Sequence, residues 1–94
     1  MGRVGSNFWS FQEFDVIPDM VTFGKAMGNG FPVAGIVTTR EIADSFKNRG
    51  ISYFNTYGGN PVACTAAMAT LKVIQKYNLQ ENSRVVGEYL GEKL

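Results

Sequence analysis

Histidine is absent from this chain of 94 residues. That removes the Ser/His/Asp and Cys/His forms of nucleophilic catalysis and the commonest metal ligand together. Acid–base work therefore falls to lysine, carboxylates, tyrosine or a cofactor. Cysteine occurs once, at Cys64, so neither an intrachain disulfide nor a thiolate metal cluster can form, and no metal site is expected. A lone thiol of this kind is expected to be a small buried hydrophobe. Excess charge is also lacking. Lys and Arg number 9 against 8 Asp and Glu, a net charge of +1 that gives no electrostatic reason to expect nucleic acid or an anionic membrane as partner. No apolar run approaches the length of a membrane span. The start, Met1-Gly2-Arg3-Val4-Gly5, has neither the h-region of a signal peptide nor the Arg- and Ser-rich amphipathic character of a transit peptide. An opening that runs straight into glycines and aromatics implies that the natural start of the protein lies upstream.

What is present resembles a cut through a globular enzyme, with 45% hydrophobic, 18% charged and 13% aromatic residues. So short a chain buries only a modest share of its surface, and any core is expected to be thin. Two textures meet near Asn60-Pro61: a first part rich in glycine and β-branched residues, and a second dominated by helix formers.

Phe8, Trp9 and Phe11 form an aromatic cluster, read as core in preference to a substrate-tunnel lining, before the turn signal Pro18-Asp19. Met20-Val21-Thr22-Phe23 is a short apolar run of the kind buried strands show, and residues 34–39 are a second, beyond the loop Met27-Gly28-Asn29-Gly30-Phe31-Pro32. Thr39 caps a predicted helix over residues 40–46, with Ile42, Ala43 and Phe46 on one face. Residues 51–54 read as a further short strand. Asn60 followed by Pro61 is the pattern of an N-cap and first helical position. The helix it opens runs to Tyr77, with Ala63, Ala67, Leu71 and Ile74 on one stripe and Cys64 and Met68 beside it. Residues 79–94 form a second helix, with Val86, Leu90 and Leu94 stepping by four and Gly87 and Gly91 weakening it. Lys72, Lys76, Arg84 and Lys93 read as solvated helix faces. Strand, loop, strand and helix with little hairpin signal predict an α/β arrangement.

Two segments carry chemistry. Lys25 directly follows the first apolar run and precedes Ala26-Met27-Gly28-Asn29-Gly30. A lysine at a strand end is held by the sheet while its ammonium reaches into a crevice, where desolvation favours the neutral, nucleophilic amine. The residues alone leave an ordinary solvated lysine open as the alternative. The glycines form neither a Rossmann fingerprint nor a P-loop, because Gly-x-Gly-x-x-Gly is missing and Lys25 is followed by Ala26. The second segment, Asn55-Thr56-Tyr57-Gly58-Gly59-Asn60-Pro61, places a hydroxyl and backbone amides at a helix start, where a phosphate dianion is welcome. An ordinary capped loop is the alternative.

The stretch from Pro18-Asp19 through Gly24-Lys25-Ala26-Met27-Gly28-Asn29-Gly30-Phe31-Pro32 resembles the class III (omega) aminotransferase signature around the cofactor lysine. Phe54-Asn55-Thr56-Tyr57-Gly58-Gly59-Asn60-Pro61 resembles the same family's Ser/Asn-Thr-Phe/Tyr-Gly-Gly-Asn-Pro block. Two motifs in the right order are far more specific than either alone. Gly2-Arg3-Val4-Gly5-Ser6 with Phe8 and Trp9 matches the family segment after its cofactor-binding aspartate, so the resemblance spans essentially the whole chain. The branch it resembles most comprises alanine-glyoxylate aminotransferases of the mitochondrial type and the related phospho-lyases.

The resemblance implies an internal piece of the large domain of a fold-type I, pyridoxal 5′-phosphate-dependent enzyme. Residues 1–77 are then part of the cofactor-binding domain, and 78–94 begin the connection toward the C-terminal small domain. Lys25 is the Schiff-base lysine that also shuttles the substrate proton, and Thr56 binds the cofactor phosphate, typically across a homodimer interface. The implied reaction is transamination between an amino acid or ω-amine and pyruvate or glyoxylate. The runner-up is phosphate elimination from phosphoethanolamine or phosphohydroxylysine. Asn55 stands where many members have serine, and Asn7 where some have histidine. The family's pyridine-nitrogen aspartate and ring-stacking aromatic fall upstream and its substrate arginine downstream, so the isolated chain is expected to be inactive, a non-catalytic fragment. A mitochondrial location is favoured by resemblance, with the cytoplasm as the alternative.

Overall fold

A computed structural model describes residues 1–94. The chain divides into two compact units, one of Pro18–Ala67 and one of Met1–Ile17 with Met68–Leu94.

The first unit contains both predicted strands. β1 is Met20–Phe23 and β2 is Gly35–Thr38. They pair antiparallel, with Met20 opposite Thr38, Val21 opposite Val37, Thr22 opposite Ile36 and Phe23 opposite Gly35. The sequence carries little hairpin signal because the connection is long and folds on itself. A 3₁₀ turn over Lys25–Gly28 and left-handed Asn29 and Gly30 turn the chain back, in place of the two-residue turn that hairpins usually advertise. Met27 and Gly28 are buried here, and the Thr38 hydroxyl donates to the Asp19 carbonyl at 3.0 Å, tying the outer end of the pair.

α1 spans Arg40–Lys47 and begins as expected, with the Thr39 hydroxyl accepting from the Ile42 N–H at 3.4 Å. Phe46 meets Tyr53 edge to face, with centroids 6.4 Å apart. The predicted strand over residues 51–54 does not form. A strand needs a neighbour's hydrogen-bond ladder, the sheet here consists of β1 and β2 alone, and Ile51, Tyr53 and Phe54 stay exposed in irregular chain.

α2, Pro61–Lys76, crosses from one unit into the other. Asn60 Oδ1 accepts from the Ala63 N–H at 2.9 Å, which satisfies one of the donors a helix start leaves open. Ala63 and Ala67 are buried, and Leu71 and Ile74 half-buried, on the expected stripe. Cys64, expected inside, is exposed: it lies off that stripe, on a face nothing in this unit covers.

The second unit is helical. Asn78, left-handed at φ 49°, separates α2 from α3, Leu79–Lys93. The N-terminal segment lies against them through glycines. Gly2 (φ 66°) donates its N–H to the Phe8 carbonyl at 2.7 Å, and the Gly5 carbonyl accepts from Gln80 Nε2 at 3.0 Å. A Cβ on Gly5 would lie 2.6 Å from the Arg84 Cα, so this crossing admits no side chain. Phe8, Trp9 and Phe11 do cluster, with centroids 5.2 and 6.2 Å apart, but each is only half-buried. Arg84, read as a free surface cation, is engaged by Glu81 and Glu88.

Met27, Ala63 and Ala67 are the buried hydrophobic side chains, and the core is as thin as the length requires. No helix is long and apolar enough to cross a membrane.

Candidate active site

Lys25 and Thr56, the two residues singled out from the sequence, belong to the same unit. Lys25 follows Gly24, which is fully extended (φ −177°, ψ −155°), and itself takes a left-handed backbone at φ 50°. Such a conformation costs a residue with a Cβ about 1 kcal/mol or more, and it persists only where the surroundings over-determine it. Here they do. The Gly24 carbonyl accepts from the Met27 N–H at 3.1 Å, the Ala26 carbonyl from the Asn29 N–H at 3.0 Å, and Met27 is buried. The sequence shows no sign of this bend, because left-handed lysine has no residue signature; the neighbouring Asn29-Gly30 does. The Lys25 side chain is exposed and enters no ion pair or hydrogen bond within the chain. The desolvation expected of a strand-end lysine is not supplied by these residues.

The 55–60 turn is built by two asparagines. Asn55 Oδ1 accepts from the Tyr57 N–H at 3.1 Å, and Asn55 Nδ2 donates to the Tyr53 hydroxyl at 3.3 Å. Asn60 Nδ2 donates to the Tyr57 carbonyl at 2.9 Å while its Oδ1 caps α2. Backbone bonds from Gly58 N–H to the Asn55 carbonyl (3.1 Å) and from Asn60 N–H to the Tyr57 carbonyl (3.3 Å) close the turn, and Gly59 sits at φ 69°. The N–H groups of Thr56 and Gly59 and the Thr56 hydroxyl remain without partners inside the chain, all on exposed residues at the start of a 16-residue helix. A hydroxyl and free amides beside a helix N-terminus form a donor set suited to a dianion. The side chain of Asn55 is already committed to holding the turn. No hydrogen bond joins Lys25 to Thr56.

An apolar groove of about 500 Å³ lies elsewhere in this unit, lined by Ile36, Thr38, Ile42, Ala43, Phe46 and Tyr53. It contains no titratable group other than the Tyr53 phenol.

The family described as Aminotransferase class-III matches residues 1–94. An alanine-glyoxylate aminotransferase 2-like protein of Drosophila melanogaster is 53% identical over 98% of this chain and 19% of its own length. The mitochondrial alanine-glyoxylate aminotransferase 2 of Homo sapiens is 55% identical over 95% of the chain and 17% of its own. An ethanolamine-phosphate phospho-lyase homolog of Caenorhabditis elegans is 50% identical over 95% and 19%. Among solved structures, an S-selective transaminase from Arthrobacter with alanine bound superposes with a TM-score of 0.86 at 34% identity, over 98% of this chain and 20% of that one. The chain therefore spans about a fifth of the length of the relatives it matches. Its fold is that of a fragment of a transaminase large domain, α/β in class. With a match from the first residue to the last and both motif segments inside it, the chain belongs to the class III aminotransferase family.

Proposed function

We propose that the full-length protein containing this chain is a pyridoxal-phosphate-dependent aminotransferase that moves an amino group from an amino acid or ω-amine to a keto acid such as pyruvate or glyoxylate. One observation carries the reading. In a class III aminotransferase chain, Lys25 and the Thr56 turn, which fall in the two motif segments, present an amine, a hydroxyl and turn amides that have no partner within the chain.

The two groups suit the two ends of the cofactor. Lys25 Nζ would hold the aldehyde end of the cofactor covalently. The Thr56 hydroxyl, with the N–H groups of Thr56 and Gly59, would donate to the phosphate of a cofactor in the paired subunit, whose charge the α2 N-terminus favours. When bound, the cofactor supplies the electron sink that stabilises negative charge at the substrate α-carbon. Lys25 would take the proton from that carbon as general base and return it as general acid. It does so only as a neutral amine, so the remainder of the protein has to close over a side chain that these 94 residues leave exposed.

In this reading residues 1–77 belong to the cofactor-binding domain and 78–94 lead toward the small domain. Thr56 serves the site of the partner subunit in a homodimer, and the isolated chain is inactive. The human relative's mitochondrial designation supports that compartment. The relative from Caenorhabditis elegans supports a second reading, phosphate elimination from an O-phosphorylated amino alcohol on the same lysine. Phosphate release from phosphoethanolamine, measured beside glyoxylate-dependent consumption of alanine, separates the two.

The test is the absorption spectrum of the full-length protein reconstituted with pyridoxal phosphate. A band near the visible edge is expected in the wild type and absent in Lys25→Ala; a band unchanged by the substitution removes Lys25 from its role.

A further inference from the structure

Phe23 and Gly35 close the end of the strand pair from which Lys25 leaves. They stand directly opposite in the register, so a side chain at 35 would share a sheet face with the Phe23 ring. The ring occupies that place: a Cβ added at Gly35 would lie 2.7 Å from Phe23 Cε2 and nearer still to Cζ. Both atoms belong to a rigid ring, so the overlap is relieved only if the whole ring swings out of its place. One residue further on, Gly24 is less confined, with an added Cβ 3.3 Å from the Ala34 Cβ, a tight contact and not an overlap. The contacts lock the last residues of β1 to the chain entering β2, and the next residue is the left-handed Lys25. Gly35 lies at normal extended geometry, since it is absent from the positive-φ glycines. Its lack of a side chain therefore answers to the ring and not to backbone torsion.

We propose that Gly35 is a positioning residue for the cofactor-linking amine. By leaving the space that the Phe23 ring fills, it fixes where β1 ends and hence where the Lys25 backbone turns. The inference rests on Lys25 being the linking lysine, and it adds that a residue 10 positions away on the partner strand sets its placement.

The full-length protein is tested as wild type, Gly35→Ala, Phe23→Leu and the double variant. Each is read out by the cofactor dissociation constant from the lysine-linked absorption band and by the thermal midpoint of the cofactor-free protein. Gly35→Ala is expected to weaken linkage by about tenfold, the scale of forcing one methyl into a packed contact. Phe23→Leu, which removes the Cε and Cζ atoms that the added methyl would meet, is expected to recover most of that loss in the double variant. A merely structural role would lower the midpoint of the cofactor-free protein while leaving the dissociation constant of the folded fraction unchanged. That result overturns the proposal, as does a double variant no better than Gly35→Ala. A band that survives in Lys25→Ala would instead defeat the functional reading beneath it, so the two failures are distinguishable. If Gly35→Ala does not fold, Gly35→Ser in the Phe23→Leu background replaces it, and failure to link cofactor there counts against the proposal.

Discussion

The two units of the chain differ in how their polar groups are used. In the helical unit those at the packing contacts are spent on one another. Arg84 holds Glu81 through Nε at 2.9 Å and Glu88 through Nη1 at 2.7 Å, and Gln80 gives its amide to Gly5. In the strand-containing unit the backbone around Lys25 and Thr56 is held by neighbours, while the lysine amine, the Thr56 hydroxyl and two turn amides have no partner within the chain. A polar group fixed in position with its bonding capacity unspent is set up for a ligand, whereas one that is paired is set up for the fold. On the proposed function, binding falls to the first unit and scaffolding to the second, a division that can be broken by experiment.

The largest loss is expected where the scaffold admits no atom. Gly5 combines φ 81° with a backbone neighbour that cannot move aside, so Gly5→Ala meets both left-handed strain and overpacking against Arg84. Together these are expected to cost about 2–4 kcal/mol of stability, seen as a lower thermal midpoint of the full-length protein with the cofactor-linked band intact in the folded fraction. A midpoint unchanged within error would mean that the crossing is looser than the geometry states.

Thr56→Val comes next, and it probes the opposite kind of group. The hydroxyl has no internal partner to lose, so the fold is expected to stand, while the cofactor forfeits a charge-assisted hydrogen bond of about 1.5–3 kcal/mol, or roughly tenfold to a hundredfold in affinity. Titration of the cofactor-free protein measures it, with phosphate-free pyridoxal as control. Equal weakening for both ligands would remove Thr56 from the phosphate.

These contrasts explain what was legible in the sequence. β1, the Thr39 cap and the Asn60-Pro61 start of α2 were readable because local residue chemistry decides them. The strand expected over residues 51–54 failed because a strand is a property of two segments, and its apolar residues advertise a partner that the 94 residues do not contain. Cys64 failed for the same reason: burial depends on what lies opposite. At the candidate site, Lys25 and Thr56 were singled out through motif resemblance, and their roles stand as proposals. The left-handed turn at Lys25 was not read there, because left-handed lysine has no residue signature, nor was the fit of Gly35 to Phe23, because it arises from contact between two strands.

The smallest effect is expected at Arg84, and it separates a paired surface group from a packed one. Its hydrogen bonds to Glu81 hold that carboxyl below the usual carboxylate range and raise the guanidinium above its own, but both side chains are open to water. A depressed carboxylate contributes stability that is present above its unfolded pKa and lost as pH falls through the folded one. The guanidinium keeps its charge throughout. Helicity of α3 should therefore decline slightly on acidification through the carboxylate range and on adding salt. Arg84→Ala should abolish that slope while leaving the crossing at Gly5 closed, because Gly5 packs on the Arg84 backbone and Cβ, which alanine retains. If the substitution instead destabilises as much as Gly5→Ala, the ion pairs are holding the N-terminal segment as well, and scaffolding in this unit depends on charge as much as on close packing.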